Sequence, residues 1–326
     1  MRAIRRILVA VKDPTAKSLP AVEKAAQLAK AFGAQLELFH GISSPLYIDV
    51  YSIRETVPEI ERTTKSDCLT KLEKIAERLR ARGLKVATSA EWDYPVYEAI
   101  VRRALRSKAD LVVSERHAGL HIAPGLLRLT DWELLRLSPI PVLLVKTRGT
   151  YDKPVVLAAI DPGHAFSKPA KLDSEILRVG SQVTDALRGS LHAVHAYIPV
   201  GAFPYGAVDM ATVDKLEAQA NAEAQRRLDK ALGKTAIPRK NRHLVGRHPV
   251  DAILQTAHQT QSDIVVMGAV ARSGFKRLVI GNTAEGALDY LDCDLLIVKP
   301  KHFVTKMKNQ RRGARIDVSP VIQGIY

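Results

Sequence analysis

Short, continuous apolar runs alternate with longer amphipathic stretches along this chain. Arg5–Val11, Ala34–His40, Leu84–Ala90, Asp110–Ser114 and Pro141–Lys146 read as strands. Between them, Leu19–Phe32, a long charged segment ending near Arg82, Pro95–Ser107 and Asp131–Leu137 carry helical spacing. Gly33 and Gly83 follow the first two helical stretches, where a helix C-terminus favours glycine. Runs apolar on both faces suit buried parallel strands, and their alternation with helices predicts βαβ units in a doubly wound, Rossmann-like α/β sheet.

The pattern then repeats. Asp110-Leu-Val-Val returns as Asp263-Ile-Val-Val, and 263 − 110 is 153. Val142-Leu-Leu-Val-Lys146 returns as Leu295-Leu-Ile-Val-Lys299, again 153 residues on, as do Ala99-Ile100 and Ala252-Ile253. Near the start the offset drifts, because Leu8-Val-Ala-Val aligns best with Leu157-Ala-Ala-Ile. Equal spacing at three places predicts two copies of one five-stranded domain, residues 1–150 and 151–300, joined near Arg148–Lys153. Residues 301–326 remain as a tail.

At 326 residues, with 46% hydrophobic and 25% charged positions, the chain suits two soluble domains, each large enough to bury a core. No secretory pattern is evident at the N-terminus, and no run approaches the ~18 apolar residues of a membrane span. Cys68 and Cys293 stand far apart and outside any CxxC pattern, which argues against a disulfide framework and for the cytoplasm. The basic excess is 49 − 34, or +15. In the tail, Lys301, Lys306, Lys308, Arg311, Arg312 and Arg315 oppose only Asp317. Lacking clear periodicity, this segment reads as a largely unpacked extension: a nucleic-acid or anionic-surface arm, or a solubilising tail.

The candidate chemistry lies between Asp263 and Pro300. Strand Asp263–Met267 leads into Gly268-x-x-Ala271, nine further residues, and Gly281-Asn282-Thr283, where a helix would open before strand Asp294–Lys299. Small residues let a backbone approach a phosphate, and a helix N-terminus presents free N–H groups to it. A turn followed by an N-cap accounts for the same residues without any ligand.

This stretch resembles the phosphate-binding signature of the universal stress protein A family: Gly, two residues, Gly, nine residues, then Gly and Ser or Thr. Ala271 and Asn282 replace two of its four fixed positions. The segment from Val155 to Asp161 resembles the first strand of the same family, whose Asp faces the nucleotide, and Val194 is implied to line the base side through its backbone. Asp161, Val194, Gly268, Ala271, Gly281, Asn282 and Thr283 are thus the implied site, with ATP as its candidate ligand in the second domain. The resemblance implies an adenine nucleotide alpha hydrolase-like fold. Its tandem members form an intramolecular pseudo-dimer through their last strands, Pro141–Lys146 and Asp294–Lys299, and further homo-oligomerisation is left open. It also implies roles in starvation, oxidative stress and DNA damage.

The first domain lacks this apparatus. Glu115 stands where phosphate would lie, Lys12 precedes the shifted Asp13, and Thr130-Asp131 is read as a cap opening the last helix. His117 and His121 have a four-residue spacing but no third ligand in view, while His192 and His195 point to opposite faces of one strand. Tyr197, Phe203 and Tyr205 are read as loop packing, with contact to an apolar ligand as the alternative. No nucleophile elbow or P-loop lysine occurs. The expectation is a ligand-sensing or protective protein, not an enzyme. A weak ATPase or nucleotide switch and a nucleic-acid-associated protein using the tail are the alternatives.

Overall fold

The computed structural model describes residues 4–44, 46–48, 53–116, 124–163, 172–199, 209–269, 289–305, 307 and 310–318. The chain divides into two compact units: residues 1–150 together with 304–326, and residues 151–303.

In the first unit the order is β1 (Arg6–Ala10), α1 (Pro20–Phe32), β2 (Gln35–Ile42), β3 (Leu46–Ile48), α2 (Ile53–Ala81), β4 (Val86–Trp92), α3 (Val96–Arg106), β5 (Leu111–Glu115), α4 (Pro124–Leu137) and β6 (Val142–Val145). The sheet runs β4-β2-β1-β5-β6, and every neighbouring pair is parallel. Ile7, Leu8, Val9, Val112 and Val113 fill its centre because both faces are covered by helices. The buried face of α1 carries four alanines with Val22, Leu28 and the stem of Lys24, and these small side chains let the helix lie close against β1. Gly33 ends it at φ 64°, where an L side chain would be strained.

The second unit repeats this plan with β7 (Val155–Ala159), α5 (Leu172–Leu187), β8 (Ser190–Tyr197), α6 (Met210–Leu232), β9 (Arg242–Gly246), α7 (Pro249–Gln259), β10 (Ile264–Gly268) and β11 (Asp294–Val298). Its sheet is ordered β11-β10-β7-β8-β9, again all parallel. Both α7 and β10 lie 153 residues after α3 and β5 (249 − 96 and 264 − 111). Each unit therefore supplies the five parallel strands expected from the repeat.

The repeated aspartates have a structural role. Asp110 accepts from the backbone N–H groups of Arg5 and Arg6 at 2.9 and 3.1 Å, and Asp263 accepts from Val155 at 2.8 Å. Each ties the start of the fourth strand to the start of the first.

Three expectations are corrected. Helix α4 begins at Pro124, so Thr130 and Asp131 lie inside it instead of opening it. Its leucine-rich start carries helix propensity upstream, with proline tolerated in the first turn. The stretch after β2, to which the periodicity assigns no strand, contains the short strand β3. The tail, expected to be largely unpacked, belongs to the first unit: β12 (Ile316–Val318) pairs in parallel with β3. Its apolar positions are too few to show periodicity; ion pairs and backbone hydrogen bonds hold it instead.

Candidate nucleotide cleft

In an open α/β sheet, ligands bind beyond the carboxyl ends of the strands where the strand order reverses. In the second unit that point lies between β7 and β10. Met267 pairs with Ala159, and Ala159 pairs with Val194, so the ends of β10, β7 and β8 stand level with one another. This brings Asp161, Val194 and Gly268 to one sheet edge. Ala271, Gly281, Asn282 and Thr283 lie outside the described residues.

Asp161 is half-buried just beyond β7, and its backbone N–H donates to Asp173 Oδ1 at 3.1 Å, joining the loop to α5. Val194 is buried; its carbonyl accepts from the Ile160 N–H at 3.0 Å, which extends the β7–β8 pairing by one residue. Gly268 has its own packing reason to be glycine. A Cβ there would lie 2.5 Å from Leu172 Cδ2, so the side chain that opens α5 occupies the space.

Arg227 was not legible as a site residue in the sequence. It extends from α6 so that Nη1 lies 3.0 Å from where a Cβ on Gly163 would be, and Glu223 holds its Nε at 2.8 Å. A guanidinium therefore borders the loop that carries Asp161. In a helix with so many charged positions, nothing in the local pattern separates Arg227 from its neighbours.

The first unit places Lys12 after β1, where Asp161 follows β7, and ends β5 with Glu115, where β10 ends with Gly268. Asp13 is engaged within its own turn, accepting from the Thr15 hydroxyl at 2.6 Å and from its N–H at 2.8 Å, and these bonds lower its pKa. A hollow of about 410 Å³ lies at the opposite edge of this sheet, bounded by Arg6, Gln35, Lys85 and Ser107. It is remote from the strand ends where such folds bind ligands.

The family model describing the universal stress protein family matches residues 3–146 and 164–299. The chain belongs to the universal stress protein family. It is a tandem-domain member, and proteins named universal stress protein E are similar to it over nearly their whole length. That of Salmonella typhi is 29% identical, over 94% of this chain and 98% of its own. That of Escherichia coli K12 is 28% identical over the same shares. Among solved structures, a functionally unknown protein of Pseudomonas aeruginosa PAO1 superposes with a TM-score of 0.71 at 23% identity, covering 92% of this chain and 94% of its own. A universal stress protein of Archaeoglobus fulgidus DSM 4304 does so with a TM-score of 0.58 at 15% identity, covering 90% and 98%. These structural likenesses concern the fold.

Away from the cleft, His192 on β8 meets His243 on β9, a partner the sequence did not suggest. Nδ1 and Nε2 lie 3.0 Å apart and the rings stack at 5.3 Å. Burial lowers both pKa values below the ordinary 6.5, and at His192 the second ring and Lys240 lower it further. The unfolded chain therefore takes up protons first on acidification. The pair's contribution is complete above about pH 6.5 and is lost as pH falls through the depressed folded values. Between pH 7.5 and 5.5 the natural protein should lose more in melting temperature than a His192→Gln, His243→Gln variant, measured by calorimetry. Equal losses would show that the pair does not titrate with unfolding. Among the described residues, no three His, Cys, Asp or Glu side chains are arranged to hold a metal; His117 and His121 lie outside them. Tyr197 is a packing residue, its hydroxyl donating to Glu217 at 3.1 Å and accepting from Asn221 at 2.9 Å; Phe203 and Tyr205 lie outside the described residues. No helix among the described residues is long and apolar enough to cross a membrane.

Proposed function

We propose that the second unit binds a small ligand beyond the β7–β10 switch point, with at most weak affinity for ATP. In this reading the protein senses or protects in the stress response and carries out no turnover of its own. The observation that carries it is the convergence of Asp161 and Gly268 at that sheet edge, with Arg227 bordering the loop. The carboxylate can accept from sugar hydroxyls, while a guanidinium suits phosphate oxygens. Ala271, Gly281, Asn282 and Thr283 complete the site in this reading. Ala271 and Asn282, which depart from the phosphate signature, are the reason for weak affinity. Family membership supports the stress-response role, with starvation, oxidative stress and DNA damage as the conditions to examine.

Mass spectrometry of small molecules released from protein purified out of cells tests the reading directly. A co-purifying phosphorylated or hydroxylated small molecule, lost in Asp161→Ala, is the expected result. ATP should bind the natural protein weakly or not at all in calorimetric titration. ATP hydrolysis abolished by the same substitution would replace this reading with a nucleotide switch. The tail is a weaker candidate for a nucleic-acid arm, because Arg311 and Arg312 already face Glu91 and Glu98.

A further inference from the structure

The first unit contains a built receptor for a guanidinium. Asp93 follows β4 and Arg102 sits on α3; both side chains are only 1% exposed. Arg102 donates from Nε and Nη2 to the two Asp93 oxygens at 2.7 and 2.8 Å, and from Nη1 to Glu98 Oε2 at 2.8 Å. Within that trio, two carboxylates meet one internal cation. A buried carboxylate needs a partner, since desolvation of an unpaired charge is costly.

The chain's own C-terminal segment supplies that partner. Arg312 donates its backbone N–H to Asp93 Oδ1 at 3.0 Å and its Nη2 to both Glu98 oxygens at 2.9 and 3.1 Å. Its guanidinium lies 5.8 Å from the Tyr94 ring centre, within reach of a cation–π contact. Gly313, at φ 75°, turns the chain between this clamp and a strand. The Arg315 carbonyl then accepts from the Leu46 N–H at 2.8 Å, and β12 continues along β3 from Ile316 opposite Leu46. Two chemistries are thus combined: a charge-assisted clamp and the addition of a strand to a short free edge.

We propose that the Asp93 and Glu98 carboxylates together with the edge of β3 are a docking site for an arginine-bearing extended segment, filled here by the chain's own residues 310–318, and that a second copy of that segment enters it once the tethered one is released. Docked, the segment pairs Arg311 with Glu91 and Arg312 with Glu98, while both arginines keep about half of their side-chain surface in solvent. It also joins the end of the chain to its first unit. The proposal is independent of any ligand in the second unit.

The test uses the full chain. Arg312→Glu places a carboxylate against Glu98 and Asp93, and Arg312→Ala removes the clamp without repulsion; both alter only the tail. Hydrogen exchange of the amides between Arg312 and Val318 should quicken at least tenfold in either variant, with the β1 and β5 amides unchanged. A fluorescent peptide of residues 304–318 should then bind the Arg312→Glu protein. It should bind the natural protein at least tenfold more weakly, because the tethered segment competes at a high effective concentration. A peptide carrying the same Arg→Glu change should bind neither. Unchanged exchange overturns the proposal. So does a peptide that binds both proteins equally, or that binds neither after the tail has been freed.

Discussion

Replacing Arg102 with methionine should destabilise the first unit by about 3–5 kcal/mol, the usual cost of removing one partner from a buried ion pair. Methionine fills much of the arginine's volume, so lost packing is the smaller part of the change. What remains is Asp93, 1% exposed, and Glu98, 11% exposed, with Arg312 left to serve both from the outside. For a domain of this size such a loss corresponds to roughly 10 °C in melting temperature. The chain has two tryptophans, Trp92 and Trp132, and both lie in the first unit. Urea unfolding followed by tryptophan fluorescence therefore reports that unit specifically. Adding Asp93→Asn and Glu98→Gln to Arg102→Met should recover more than half of the loss, because neutral amides tolerate burial far better than carboxylates. A loss under about 1 kcal/mol in the single variant would mean that the carboxylates find water or other cations, contrary to their burial.

Restoring the two departed positions of the phosphate signature, Ala271→Gly with Asn282→Ser, should tighten ATP binding by the second unit at least tenfold, about 1.4 kcal/mol. In the proposed reading glycine at position 271 allows closer approach of backbone to phosphate than alanine does, and serine at 282 returns a hydroxyl that can donate to a phosphate oxygen. Asn282 can donate from its amide, so the natural protein retains part of that capacity. Matching changes in residues 114–125 of the first unit should leave it without ATP binding. There Glu115 ends β5 where Gly268 ends β10, and its carboxylate repels phosphate. Lys12 also stands in place of the carboxylate provided by Asp161. Calorimetric titration of both variants decides the matter. A repaired second unit that still ignores ATP points the cleft to another class of ligand. ATP binding by the untouched first unit would remove Glu115 as the obstacle.

By itself the sequence determined the internal repeat, the strand–helix alternation and the sheet edge at which Asp161, Val194 and Gly268 stand. These features are written in local periodicity: apolar runs such as Ile264–Met267, helices with one apolar face, and Gly33 closing α1. The 153-residue offset carried the same reading from one half to the other. The short strand β3 and the true start of α4 were missed, because three residues carry no period and helix propensity is weak where leucines also suit a loop. What only tertiary structure decided are the partnerships between distant residues. Arg312 reaches Asp93 across 219 positions and His243 meets His192 across 51. Arg227 reaches the loop of Gly163 from a helix formed much later in the chain. In sequence each of these is one more charged or polar residue on a solvated element. An ion pair or a ring contact leaves no period behind it, so the chain must be folded before the partner is known.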